Sequence, residues 1–391
     1  YIGLVFKAVK TSRNYYISKA LPPVLNALIG GFMKRPFYKL ADKTTYEVLK
    51  SLTDNEALIK VLCGQYGDYG LPPKQSSFYM HASVVRHYFD GGSFPIGGSS
   101  QIVKTIDPVI AAAGGTILIN AEVAEVIIEN NTAKGVKMSD GKTFYAKNII
   151  SNAGIMTTYN KLLPENIVAK HQLKAQLQKV KRSVAHVSLY VGFEESPEAL
   201  NLPKTNHWIY PKDGDHDSCV NRYLKDINQE FPMVYLSFPS AKDPDWSNRY
   251  PDKSTIDIIT LVPYETFEPW AGSRWKKRGA DYEALKEKIA QRLLAELYKQ
   301  IPQVEGKVKY YELSTPLTTQ HFVNYEKGEI YGLDHSPSRF RQDFLKPKTP
   351  IKNFYLTGQD IVTAGVGGAL FAGVLTAMAI TGKNVLKKVI K

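Results

Sequence analysis

The residues best placed to do chemistry lie near the end of the chain, in 353–373, NFYLTGQDIVTAGVGGALFAG. Residues 353–356 read as a short strand and Asp360 as an acidic turn. Residues 361–382, uncharged throughout, read as a helix opening on Gly365, Gly367 and Gly368. A helix start bare of side chains exposes unpaired N–H groups at the positive end of the helix dipole. Such an end suits an electron-rich oxygen of a ligand. The stretch is not a dinucleotide fingerprint: Leu370 stands at the sixth position of the Gly-x-Gly-x-x-Gly pattern, and no Asp or Glu follows it. The same residues would also serve a packing helix. Lys383, Lys387, Lys388 and Lys391 behind the run suit its negative end. A second glycine group, GGSFPIGG at 91–98, precedes a helix expected over 99–113. There Gly97 and Gly98 allow either the close approach of a ligand or a tight turn.

The elements that must position these groups read as follows. Residues 1–90 are mostly helical, with Pro22, Pro23, Pro36, Pro72 and Pro73 as breakers. Residues 115–151 form a compact β-meander of short runs, 116–120, 123–129, 133–138, 143–145 and 146–151, with Asn130-Asn131 and Asp140-Gly141 as turns. Strands are expected over 184–192, 233–238, 255–262 and 308–313, and an amphipathic helix over 282–301. Residues 314–350 are loop-rich. No linker separates independent halves, so distant segments build each domain jointly. The expected parts are helices 1–90, a cofactor-side segment 91–155, a substrate domain 156–320 and a closing segment 321–391.

Composition narrows the class. The chain has 391 residues, 43% apolar and 22% charged, which excludes a disordered chain or a fibre. Two cysteines, Cys63 and Cys219, exclude a disulfide scaffold and fit a reducing compartment. The net charge of +13 calls for an acidic partner. Residues 1–50 hold nine Lys or Arg against two acids, interleaved with aromatic and aliphatic residues. Such a stretch suits an anionic bilayer surface or a solvated helical face. No zinc-finger, homeodomain or RNP pattern supports nucleic acid. The acidic run 213–217 lacks calcium-loop spacing, His81 and His87 fall on different helix faces, and no Gly-x-Ser-x-Gly elbow supports a serine nucleophile. No metal site is expected.

In order along the chain stand Gly91-Gly92-Ser93-Phe94-Pro95-Ile96-Gly97-Gly98-Ser99-Ser100, Gly114-Gly115, Val123, Gly135-Val136, Asp140-Gly141 and Asn152-Ala153. Then come Thr315-Pro316-Leu317-Thr318, Gly328 through Tyr331-Gly332, Leu356-Thr357-Gly358-Gln359-Asp360 and Gly367-Gly368-Ala369. In this order the chain resembles the FAD-dependent amine-oxidase superfamily, and within it the group of phytoene desaturases, carotenoid isomerases and retinol saturases. The resemblance implies an α/β (mixed α+β) fold: a partial FAD-binding domain of glutathione-reductase-like type, and a substrate domain with an antiparallel mixed sheet and helices. It implies Val123 beside the adenine end of FAD and Asn152-Ala153 closing that strand bundle. Gly358 and Asp360 would sit at the ribityl and pyrophosphate part. Gly367, Gly368 and Ala369 would start a helix aimed at the flavin pyrimidine oxygen, with Gly97 and Gly98 in the same cofactor set. Tyr331 and Arg339 would reach the flavin or the substrate mouth, or serve structure.

The implied reaction is hydride transfer between flavin N5 and a C=C bond of a long apolar isoprenoid, a retinoid or carotenoid, with no catalytic side chain singled out. The family opens with a strand, a Gly-x-Gly-x-x-Gly turn and a helix. No such unit stands here, so the expectation is an N-terminally truncated form whose missing polypeptide supplies that turn. The cellular expectation is cytoplasmic, with peripheral membrane association. Alternatives are an amine- or porphyrinogen-type flavin oxidase, and a flavin-free lipid- or membrane-binding remnant.

Overall fold

The computed structural model describes residues 1–389; Lys391 and the side chains of Lys387 and Lys388 lie outside the described residues. The longer elements, in chain order, begin with helices α1 (Ile2–Ala20), α2 (Pro23–Ala41), α3 (Phe78–His87) and α4 (Ser100–Ala112). Strands β1 (Val123–Glu129), β2 (Thr132–Met138), β3 (Thr143–Tyr145), β4 (Ile149–Ser151), β5 (Ala185–Phe193), β6 (His207–Ile209), β7 (Val234–Ser237) and β8 (Ser254–Val262) follow. The chain closes with α5 (Ala280–Gln300), β9 (Tyr310–Ser314), α6 (Pro316–Val323), β10 (Phe354–Leu356) and α7 (Gly365–Thr381). The mixed α/β class expected from sequence is the one observed. The chain divides into two compact units: 1–90 with 121–184 and 324–391, and 91–120 with 185–323. The 91–155 segment expected as one piece is therefore shared between them.

In the first unit the meander has three strands, β1-β2-β3, joined antiparallel. β4 leaves it and pairs in parallel with β10, three residues against three. That corrects the expected meander through 151. Residues 116–120 form no strand, a second correction. Their run Ile117, Leu118, Ile119 is exposed and pairs with no neighbour that would fix extended backbone. Pro36 does not break α2. Its missing N–H would have bonded the carbonyl of Phe32, an exposed residue, so the lost bond leaves no buried polar group behind. The core joins Tyr15, Tyr16, Phe37 and Tyr79 to Leu333, Phe340, Phe354, Leu356 and Leu375. Aromatic stacking fixes its centre, Tyr15 on Phe37 with centroids 4.1 Å apart.

The second unit is built on a five-stranded antiparallel sheet, order β6-β7-β8-β5-β9. Its alternation is plain in the sequence. Val187, Leu189 and Val191 of β5, with Ile256 and Ile258 of β8, point to one face and are buried. Ile289, Leu293, Leu294 and Leu297 of α5 belong to the same core. In place of a metal loop at 213–217, Asp215 caps the helix His216–Lys225, accepting from Ser218 N–H at 2.8 Å.

Candidate functional site

The site begins at the carboxyl ends of the parallel pair β4 and β10, where open α/β sheets place ligands. The register Leu356↔Ser151 brings the residues that follow each strand side by side, and Thr357 N–H donates to Ser151 O at 3.0 Å. Asn152 is exposed there, and its side-chain oxygen lies against Gly358. Gly358 has φ +90°, and any Cβ would collide with that oxygen, so the position requires glycine. Asp360 follows, 4% exposed. Its carboxylate accepts from Ile155 N–H at 2.8 Å and Leu333 N–H at 3.1 Å. It thereby ties three distant segments to one point. Gln359 donates to the Tyr325 hydroxyl at 2.7 Å. Burial, with Asp360 nearby, pushes the Tyr325 phenol up to about 12, so it stays protonated.

Two buried bases complete the turn before α7. Arg339 is 2% exposed, and its guanidinium donates to the carbonyls of Leu333, Asp334, Gln359, Asp360 and Val362 at 2.7–3.4 Å. His335 is fully buried, and its Nε2 accepts the Ala364 N–H at 2.9 Å. Burial, and then Arg339, hold its imidazole far below the usual histidine range, so the ring is neutral with its proton on Nδ1. His335 thus takes the cap N–H of α7. The N–H groups of Gly365, Val366 and Gly367 in the first turn lack intrahelical acceptors. Gly365, Val366 and Gly367 are exposed.

Beside that helix start lies a cavity of about 410 Å³. Val9, Ser12, Arg13 and Tyr16 of α1, Tyr79 of α3, Val362, Thr363, Gly367, Gly368, Phe371 and Leu386 line it. Gly368 is close-packed: a Cβ there would collide with the Thr363 carbonyl. Among the described residues the wall is mostly aromatic and aliphatic, with one cation, Arg13, and no carboxylate.

The structure brings Asn152, Gly358 and Asp360 together, and places Gly367 and Gly368 in the wall of the cavity. Ala153 follows Asn152 and is half-buried, and Ala369 opens the second turn of α7. Val123 opens β1 opposite Met138, half-buried. Gly97 and Gly98 belong to the second unit. Gly97 N–H donates to the buried Asp243 carboxylate at 2.9 Å, and both glycines line a separate hollow of about 290 Å³ with Phe94, Trp246, Arg249 and Tyr250. Tyr331 gives its hydroxyl to Gly67 O at 2.8 Å. For Arg339 the structural reading prevails, because its donors are engaged by main-chain carbonyls. Sequence reasoning missed His335 and Arg13. A single histidine in a loop-rich stretch carries no signal, and Arg13 read only as one charge among nine.

No family model matches the chain. Its fold is that of an oxidoreductase from Methanosarcina mazei, with a TM-score of 0.56 at 17% identity over 94% of this chain and 74% of that one. By sequence it is 36% identical to the all-trans-retinol 13,14-reductase of Homo sapiens over 98% of its length. It is 27% identical to the chloroplastic prolycopene isomerase of Arabidopsis thaliana over 79%. The chain is thus similar along nearly its whole length to these reductases and, more distantly, to these isomerases. It spans 65% of the length of the human relative and 49% of the plant one.

Proposed function

We propose that this chain carries the cofactor-facing helix and part of the substrate wall of a FAD-dependent oxidoreductase that reduces one C=C bond of a long apolar isoprenoid. The observation that carries the reading is the glycine-opened start of α7 beside a mostly apolar cavity. The residues present fit the ring end of a flavin. The first turn of α7 offers N–H donors and positive dipole to a carbonyl oxygen of the ring, and Tyr16, Tyr79 and Phe371 offer a flat apolar wall. When bound, the flavin supplies hydride chemistry at N5. This chain's residues do the rest. The α7 terminus favours negative charge on the ring. Asp360 and Arg339 hold the turn that aims α7. His335, neutral, takes the cap N–H and adds no competing positive charge. The apolar wall excludes water from a polyene. A cavity with a cation and, among the described residues, no carboxylate suits a neutral or anionic ligand better than an ammonium, which sets an amine substrate behind an isoprenoid.

The test is an absorption spectrum of the purified chain after incubation with FAD and gel filtration, followed by turnover of all-trans-retinol with a reduced dye. Retained flavin, lost in Gly367→Glu, supports the reading. A folded, colourless wild-type chain refutes it for these 391 residues.

A further inference from the structure

Beside the edge strand β9 the second unit opens a cavity of about 580 Å³. Four large aromatic side chains stand in its wall and outside the core. Trp275, Tyr190, Tyr310 and Phe322 are 37, 48, 62 and 64% exposed. One exposed ring is ordinary, but four around one opening form a surface that a flat ligand would cover. The group is held in place: Trp275 stacks on His321 with centroids 5.3 Å apart, and Phe322 meets it edge-on at 5.1 Å.

The charges of the wall fall into two sets. Lys286 is spent inside the protein, on Glu312 at 2.8 Å and Glu283 at 3.4 Å. Arg278 and Lys276 are not. They belong to the run Arg274-Trp275-Lys276-Lys277-Arg278, none of whose four cations has an ion-pair partner among the described residues. Arg278 lies over the Tyr282 ring at 5.1 Å, and its one hydrogen bond among the described residues runs from Nη2 to Leu317 O at 3.3 Å. Its Nε–H is buried and meets no acceptor among the described residues. Arg249, in the hollow beside Gly97, shows the opposite arrangement, with its guanidinium spent on Asp243 and Asp245. Lys276 holds its ammonium 4.8 Å from the Trp275 ring and has φ +60°, a left-handed backbone that is uncommon outside glycine and gathers at binding sites.

A wall with three cations, Lys276, Arg278 and Lys286, against two carboxylates, Glu283 and Glu312, favours an anion. A purely apolar ligand would take the guanidinium out of water unpaired, and a bare anion would leave the rings uncovered. Two unpaired cations suit the double charge of a phosphate monoester better than the single charge of a carboxylate. We propose that this cavity binds a nucleoside phosphate, with Arg278 and Lys276 on the phosphate and the aromatic wall against the base. Glu312, Ser314 and Thr318 stand in the same wall as acceptors for ribose hydroxyls or a base amino group. The site lies wholly within the second unit and does not depend on the flavin reading.

Titration of the 391-residue chain with adenosine monophosphate tests it, read by calorimetry and by tryptophan fluorescence excited where the base does not absorb. Wild type should saturate, with half-saturation below about 1 mM. Adenosine and inorganic phosphate each carry part of the chemistry, so each should bind roughly tenfold or more weakly. Lys276→Glu, at an exposed position, should weaken the nucleotide roughly tenfold or more while the melting curve stays put. Arg278→Met should weaken it at least as much, and Arg278→Lys, which keeps the charge and loses the fork, should fall between. A wild type that does not saturate overturns the proposal. So does nucleotide binding that Lys276→Glu and Arg278→Met leave unchanged. Phosphate that binds as tightly as the nucleotide would make the cavity a plain anion site and overturn it too, as would adenosine that binds as tightly. Gly367→Glu should leave this titration unchanged, and Lys276→Glu should leave FAD retention unchanged, so either reading can fail without the other.

Discussion

The two units hold themselves together by different chemistry. The second is an aliphatic sandwich of sheet and helix. Leu189, Val191, Ile258 and Leu293 are fully or almost fully buried, and the strands that carry them are long enough to pair over nine residues. The first unit gathers three segments of chain and joins them with buried polar groups. Asp360 accepts main-chain N–H groups from Ile155 of another segment and Leu333 of its own, and Arg339 reaches five carbonyls that gather the loops of 324–391. His335 caps α7, and Lys19 donates to Leu345 O at 2.7 Å. The candidate site sits in the polar-stitched unit. Close approach to a ligand there needs glycine turns and bare helix ends, and buried side chains replace the packing that those glycines cannot provide.

The largest effect should come from cutting a stitch. Arg339→Met keeps the volume but leaves buried carbonyls unpaired, which should cost roughly 3–5 kcal/mol. Leu189→Ala in the second unit should cost about 3 kcal/mol through the cavity it opens. All four tryptophans, Trp208, Trp246, Trp270 and Trp275, belong to the second unit. Tryptophan fluorescence therefore follows that unit, while far-ultraviolet circular dichroism follows both. Arg339→Met should shift the dichroism transition and leave the fluorescence transition near wild type; Leu189→Ala should move the fluorescence. Equal movement of both signals in Arg339→Met would show the cores unfolding as one and break the contrast.

The same difference decides what was legible in the sequence. β5, β8 and α5 were readable because a buried face imposes a period of two or 3.6 on the residues that form it. The ends of α7 and the strand β10 were readable from glycine spacing and a short apolar run. The β4–β10 pair was not. Three residues carry no period, and a parallel partner some 200 positions away leaves no local mark. Arg339 and His335 were hidden for a related reason. A side chain that serves main-chain groups elsewhere in a loop-rich stretch has no sequence pattern, because its partners are atoms every residue carries. Gly97 and Gly98 show what glycine spacing leaves open. Their spacing marks a close approach without naming the group that approaches, and Gly97 N–H meets the Asp243 carboxylate of its own unit.

A second, smaller effect sharpens the picture of polar burial in the first unit. His81 is fully buried between the Tyr1 hydroxyl at 2.8 Å and the Tyr69 hydroxyl at 3.3 Å. Burial pushes its imidazole down to about 4. The folded state therefore keeps it neutral, while the unfolded state takes up a proton below about 6.5. The stability tied to its neutral form is complete above about 6.5 and is lost as the pH falls toward 4, by about 3 kcal/mol in all. His81→Gln removes that titration. The stability gap between wild type and His81→Gln, measured by urea unfolding, should shrink over this pH window and stay level above it. A gap independent of pH would mean that the imidazole is already charged or solvated in the fold.

The smallest effect belongs to the exposed ion pairs at the rim of the second unit's sheet, in contrast to its buried Asp243. Lys286 reaches Glu312 across 2.8 Å, but Glu312 is about half exposed, and the pair lies at the rim of the sheet rather than beneath it. Water screens such a pair and side-chain entropy opposes it, so Glu312→Gln should cost about 0.5 kcal/mol. The cost should vanish in roughly 1 M salt, where the screening length is only about 3 Å. Glu283 also contacts Lys286, at 3.4 Å, and keeps a carboxylate beside the ammonium in the variant. Fluorescence-detected unfolding in low and high salt reads this directly. A salt-insensitive loss of several kcal/mol would mean that the second unit also depends on a polar stitch. The division between an aliphatic scaffold and a polar-stitched site would then fail at its simplest point.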